Sequence, residues 1–113
     1  MSDTRLERAL EITNTLSEPT ILEQFAEECV ELSQVALKMA RKLRGENPTP
    51  KTIEDIRNDF REEYADVMNC VGVLFTLPQY ETIFSSEWFL PILDQKRERW
   101  IERLKENTDD SRS

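Results

Sequence analysis

The sequence predicts an all-α protein. Glycine occurs only at Gly45 and Gly72. Apolar residues recur at three- and four-residue steps instead of alternating, and prolines stand where those runs stop, which favours long helices joined by short breaks. The expected architecture is a four-helix-type bundle built round a long antiparallel helix hairpin.

A first helix is expected over Thr4 to Leu16, before a break at Ser17-Glu18-Pro19. The second should run from about Thr20 to Arg44 on the seam Leu22, Phe25, Cys29, Leu32, Ala36, Met39 and Leu43. Gly45-Glu46-Asn47-Pro48-Thr49-Pro50 reads as a loop, because glycine ends a helix and two prolines resist its continuation. Thr52, with Asp55 three residues on, caps a third helix that follows Ile53, Ile56, Phe60, Tyr64, Val67, Val71 and Leu74 to about Leu77, where Pro78 stops it. The aromatic-rich stretch from Gln79 to Pro91 has room for a short helical turn. A last helix from Trp88 or Pro91 to about Lys105 carries Leu93, Trp100 and Leu104 inward. Residues 1–106 are read as one domain and 107–113 as a polar tail that frays.

Composition narrows the functional classes. The chain carries 23 acidic and 15 basic residues, a net charge of -8, which argues against a sequence-independent grip on nucleic acid or on an anionic membrane. Histidine is absent, which removes His-based triads and the Glu-x-x-His ligands of di-iron bundles. No apolar run is long enough to span a bilayer and the N-terminus lacks a signal-peptide layout, so a cytoplasmic protein is expected. Cys29 and Cys70 fall inside helical patterns without CxxC spacing and read as reduced core thiols.

Two acidic clusters stand out, Glu27-Glu28-Cys29-Val30-Glu31 and Glu62-Glu63-Tyr64-Ala65-Asp66. Acids three apart share a helix face, so Glu28/Glu31 and Glu63/Asp66 are each a pair of hard oxygen donors. At 100° per residue, Glu28 and Glu31 lie roughly 65° and 125° from their apolar seam, and Glu63 and Asp66 roughly 60° and 120° from theirs, in the same sense. In an antiparallel hairpin such offsets fall on one side. The pairs also lie roughly 22 Å and 19 Å from the connecting loop, hence level. Four converging carboxylates repel one another unless a hard cation such as Mg²⁺ joins them.

At these residues the chain resembles the MazG-like members of the all-α nucleotide pyrophosphohydrolases, whose signature is Glu-Glu-x-x-Glu followed, after a helix-loop-helix interval, by Glu-x-x-Asp. The resemblance covers about Leu22 to Leu74 and includes Glu31-Leu32, Ala65-Asp66-Val67 and the Arg44-to-Pro50 tract, similar to the loop of a compact subgroup. It implies Mg²⁺-dependent cleavage of a nucleoside triphosphate between the α- and β-phosphates, with Mn²⁺ as a substitute ion, in nucleotide-pool housecleaning. It also implies a homo-oligomer, a dimer first and a tetramer second. Carried over, Glu28, Glu31, Glu63 and Asp66 are the metal ligands. Glu27, further outward, holds a second ion or orients water, whereas Glu62 is a surface acid.

Cationic partners are expected among Lys38 and Lys42, beyond Glu31 on the same side, and in the stripe Lys96, Arg99 and Arg103, similar to the basic residues of the family's last helix. Each is also readable as solvated helix surface. Asn69, one turn past Asp66, and Trp88 are candidates for the base beside their plainer readings as surface amide and core aromatic. Two other readings stand. Phosphoribosyl-ATP pyrophosphohydrolases share the acidic pattern but usually carry a histidine where this chain reads Val67-Met68-Asn69-Cys70. A non-catalytic helical interaction protein on the same fold would not need four intact acids.

Overall fold

A computed structural model describes residues 4–46 and 50–112, with side chains described to residue 108. The described residues are helical almost throughout, without a strand, and no helix among them is long and apolar enough to cross a membrane. Asn47-Pro48-Thr49, at the centre of the expected loop, and Ser113 of the expected tail lie outside the described residues. The helices group into two compact units, Met1–Leu77 and Pro78–Ser113.

The first unit holds α1 (Thr4–Thr15), α2 (Glu18–Arg44) and α3 (Ile53–Phe75). Helix α2 begins two residues earlier than expected. Ser17 is its N-cap, accepting from the Thr20 N–H, and Pro19 lies in the first turn, where a missing N–H costs nothing. Its end follows the Schellman pattern: Gly45 turns left-handed at φ 76°, its N–H donates to the Lys42 carbonyl and that of Glu46 to the Arg41 carbonyl. Helix α3 opens on a complete capping box. Thr52 Oγ1 accepts from the Asp55 N–H and Asp55 Oδ2 from the Thr52 N–H, both at 3.1 Å. Beside it Lys51 Nζ pairs with Asp59 at 2.7 Å.

Helices α2 and α3 pack along each other and α1 packs on α3. The hairpin must be antiparallel. Glu28 and Glu63 are side by side, and in a parallel pair the eight residues between Arg44 and Ile53 would have to return about 39 Å while reaching only about 27 Å.

Burial corrects the expected seams. The less exposed apolar and acidic residues along α2 include Ile21, Phe25, Glu28, Cys29, Leu32, Val35, Met39 and Ala40, and those of α3 Ile53, Ile56, Asp59, Glu63, Val67, Cys70, Val71, Val73 and Leu74. Leu43 and Tyr64, assigned to the seams, are 64% and 53% exposed, whereas Ile56 and Leu74, also on the α3 seam, are fully buried. Both stripes are thus rotated from the expected lines toward the acids, by roughly 30° on α2 and 45° on α3. The cause is the third helix: α1 covers one flank of the hairpin and draws burial toward Ile21 and Val73.

In the second unit a single 3₁₀ turn, Pro78–Tyr80, leads into α4 (Glu81–Phe84), which packs on α5 (Ser86–Arg112). The Tyr80 and Phe84 rings stack at 6.2 Å between centroids. Helix α5 starts before the expected Trp88 or Pro91 because the Ser85 carbonyl accepts from both the Trp88 and Phe89 N–H groups, leaving Pro91 in the second turn. It also runs past Lys105, through residues read as a frayed tail. Strong helix formers occupy every position from Gln95 to Glu106 except Trp100 and Ile101, and Thr108 Oγ1 bonds back to the Leu104 carbonyl.

Candidate metal centre

The corrected stripes place two acids where a helix pair ordinarily carries leucine. Glu28 and Glu63 fall within their stripes, and Glu31 and Asp66 lie about 60° further round each helix on the same flank. The antiparallel hairpin therefore closes with four carboxylates together: Glu28, Glu31, Glu63 and Asp66 each offer an oxygen within 4.8 Å of all the others. Glu28 and Glu63 are half-buried, whereas Glu31 and Asp66 are exposed at the rim.

Hydrogen bonding within this cluster is incomplete. Gln24 Nε2 donates to Glu28 Oε1 at 2.6 Å. The other oxygen of Glu28, Oε2, and Oε2 of Glu63 are shielded from solvent and have no hydrogen-bond partner among the described residues. A buried oxygen acceptor is ordinarily satisfied, and a carboxylate more so than any other group. Burial is the leading cause that pushes the Glu28 carboxyl above its usual range; the Gln24 bond opposes it, and the Glu31 and Asp66 charges add to it. Burial likewise leads for Glu63, followed by the charges of Glu31, Asp66 and Glu28.

The donor set fits a hard divalent cation. All four groups are carboxylates, two oxygens lack any other partner, and oxygens on opposite sides of Mg²⁺ stand about 4.2 Å apart. The widest separation of 4.8 Å exceeds this by an amount that a small side-chain rotation removes.

A cavity of about 600 Å³ adjoins the cluster, lined by Arg8 and Ile12 of α1, by Leu16 just beyond it, by Ile21, Gln24 and Glu28 of α2, and by Asp66, Asn69, Cys70 and Val73 of α3. Its lining is mixed: Ile12, Leu16, Ile21 and Val73 are apolar, Arg8, Glu28 and Asp66 charged, and Gln24 and Asn69 polar. That volume and mixture suit a small organic molecule with a charged group at one end. Burial also pushes the Cys70 thiol up, with the Glu28 charge second, so this cysteine lines the cavity as a neutral, weakly polar group.

The remaining sequence candidates fall in several places. Asn69 joins the acids at the cavity. Glu27 is exposed on the outer side of α2, displaced from the stripe in the same sense as Glu31. Lys38 and Lys42 stand about 10 Å and 16 Å along α2 from Glu31, toward the loop, and do not line the cavity. Lys96, Arg99 and Arg103 are exposed on α5, as is Trp88, in the second unit. Sequence reasoning missed Arg8, Ile12, Leu16, Ile21 and Gln24. Gln24 alone carried a local signal, being four residues before Glu28 on the same helix face.

Compared with known proteins, the chain matches no family, no curated protein and no solved structure.

Proposed function

We propose that the chain is a Mg²⁺-dependent nucleoside triphosphate pyrophosphohydrolase that cleaves the α–β phosphoanhydride to a nucleoside monophosphate and pyrophosphate, the activity implied by its resemblance to MazG-like enzymes. The observation that carries the reading is the convergence of four carboxylates within 4.8 Å, two with buried, unpartnered oxygens, beside a cavity lined by both apolar and charged residues. Such a site suits a ligand with a polyphosphate at one end and a base and sugar at the other. The bond assignment comes from the resemblance; the geometry supports the metal and the phosphate.

Glu28, Glu31, Glu63 and Asp66 would hold the ion, with Gln24 fixing the Glu28 carboxylate through its bond to Oε1. When bound, Mg²⁺ neutralises phosphate oxygens and lowers the pKa of the attacking water. Ile12, Leu16, Ile21 and Val73 would exclude water from the base and sugar, and Asn69 offers an amide donor and acceptor to them. Glu27, outside the four-acid set, would accept the proton of the attacking water. Lys38 and Lys42, further along α2, are candidates for the departing pyrophosphate. The protein would act as a homodimer, burying apolar residues that a single chain leaves exposed.

Pyrophosphate release from a panel of nucleoside triphosphates, with and without Mg²⁺, tests the reading. The expected products are monophosphate and pyrophosphate; orthophosphate and diphosphate as primary products would overturn the α–β assignment. Phosphoribosyl-ATP in the same panel tests the related activity.

A further inference from the structure

The charge around the proposed site does not balance. Four carboxylates and a triphosphate bring together about eight negative charges, against which one divalent cation supplies two. A protein cation facing the phosphates would offset part of the remainder.

Helix α1, to which the sequence assigned no function, carries one. Arg8 and Ile12, one turn apart on α1, line the same cavity as Glu28 of α2 and Asp66 of α3. Among the residues lining this cavity Arg8 is the one cation. A second cavity of about 560 Å³, between α1 and α3, shares Arg8, Ile12, Asn69 and Val73 with the first and adds Arg5, so the basic wall continues outward.

Arg8 is not consumed as a counter-ion. Among the described residues it forms no ion pair, although Glu28 and Asp66 line the same cavity. A guanidinium that lines a cavity with carboxylates and pairs with none of them is available for a ligand, and its planar fork matches two phosphate oxygens at once. We propose that Arg8 binds the substrate's phosphate oxygens in the cavity between α1, α2 and α3, so that α1 completes the site. This rests on the metal-phosphate reading above.

The test separates the two. Mn²⁺ binding is followed by electron paramagnetic resonance, and the affinity for inorganic tripolyphosphate is then measured at fixed, saturating free Mn²⁺. Arg8→Gln should leave Mn²⁺ affinity within about twofold of the wild type and weaken tripolyphosphate about ten- to hundredfold, the usual loss of a charge-assisted contact. Arg8→Lys should fall between the two. Arg57→Gln, the same change in net charge on α3 away from the cavity lining, should bind tripolyphosphate as the wild type does. Failure of the wild type to bind Mn²⁺ overturns the metal reading and this assignment with it. Mn²⁺ binding with unchanged tripolyphosphate affinity in Arg8→Gln, or an equal loss in Arg57→Gln, overturns the arginine assignment alone.

Discussion

Glu28 and Glu63 occupy positions at which a hydrophobic residue would stabilise the hairpin, and without a cation they oppose it. Burial and neighbouring acids raise both carboxyls above their ordinary values, so the folded chain holds their protons more tightly than the unfolded chain. Stability therefore falls as pH rises from the ordinary carboxylate range through the raised values. Metal-free protein should melt at a lower temperature at pH 7 than at pH 5 on this account, and Mg²⁺ should recover the loss by binding the folded state alone. Glu63→Gln should flatten that pH dependence and raise the melting temperature of the metal-free protein at neutral pH, while lowering turnover by about two orders of magnitude or more. A calorimetric pH series with and without Mg²⁺, alongside the pyrophosphate assay, checks both. A variant that kept wild-type turnover would remove Glu63 from the ligand set.

Among the elements, α2 and α3 owe their register to what happens at the loop between them. The Thr52–Asp55 capping box and the left-handed Gly45 fix where each helix ends, and this sets the acids level across the hairpin. Thr52→Ala should cost about 1 kcal/mol, and Gly45→Ala about the same for forcing a Cβ into a left-handed backbone. Both are measured by denaturant titration. Asp55 acts with the opposite pH sign to Glu63: its bonds from the Thr52 backbone and side chain hold its carboxyl below the usual range. Its stabilisation is present above the unfolded value and lost as pH falls through the lower folded one. Deeper in the hairpin, Leu74→Ala should cost about 2–5 kcal/mol, since Leu74 is fully buried.

For the whole molecule the relevant surface is apolar and uncovered. Along α5, Trp88, Phe89, Ile92, Trp100, Ile101 and Leu104 are all exposed, Trp100 by 65%, and large aromatics in such numbers are characteristic of protein interfaces. The chain should therefore sediment at twice its 13.3 kDa mass at low micromolar concentration, and Trp100→Glu should shift it toward monomer without loss of helicity. A wild-type chain that stays folded and monomeric under these conditions would refute the dimer.

How much was legible in the sequence follows from the range of the forces involved. Helix period, the Ser17, Thr52–Asp55 and Gly45 signals, and the pairing of Glu28 with Glu31 and Glu63 with Asp66 depend on residues within about one turn of each other, so the chain determined them by itself. The start of α5 was misplaced because Pro91 was weighed as a boundary, while the Ser85 carbonyl begins the helix upstream of it. Which face of α2 and α3 would be buried was beyond local rules. Apolar residues such as Leu22 and Tyr64 fit a helical seam as well as Ile21 and Cys70 do, and only contact with α1 decides between them. Tertiary packing alone brought Arg8 and Ile12 of α1 to line one cavity with Glu28 and Asp66, because burial and proximity between helices are properties of the partner surface, which no single helix encodes.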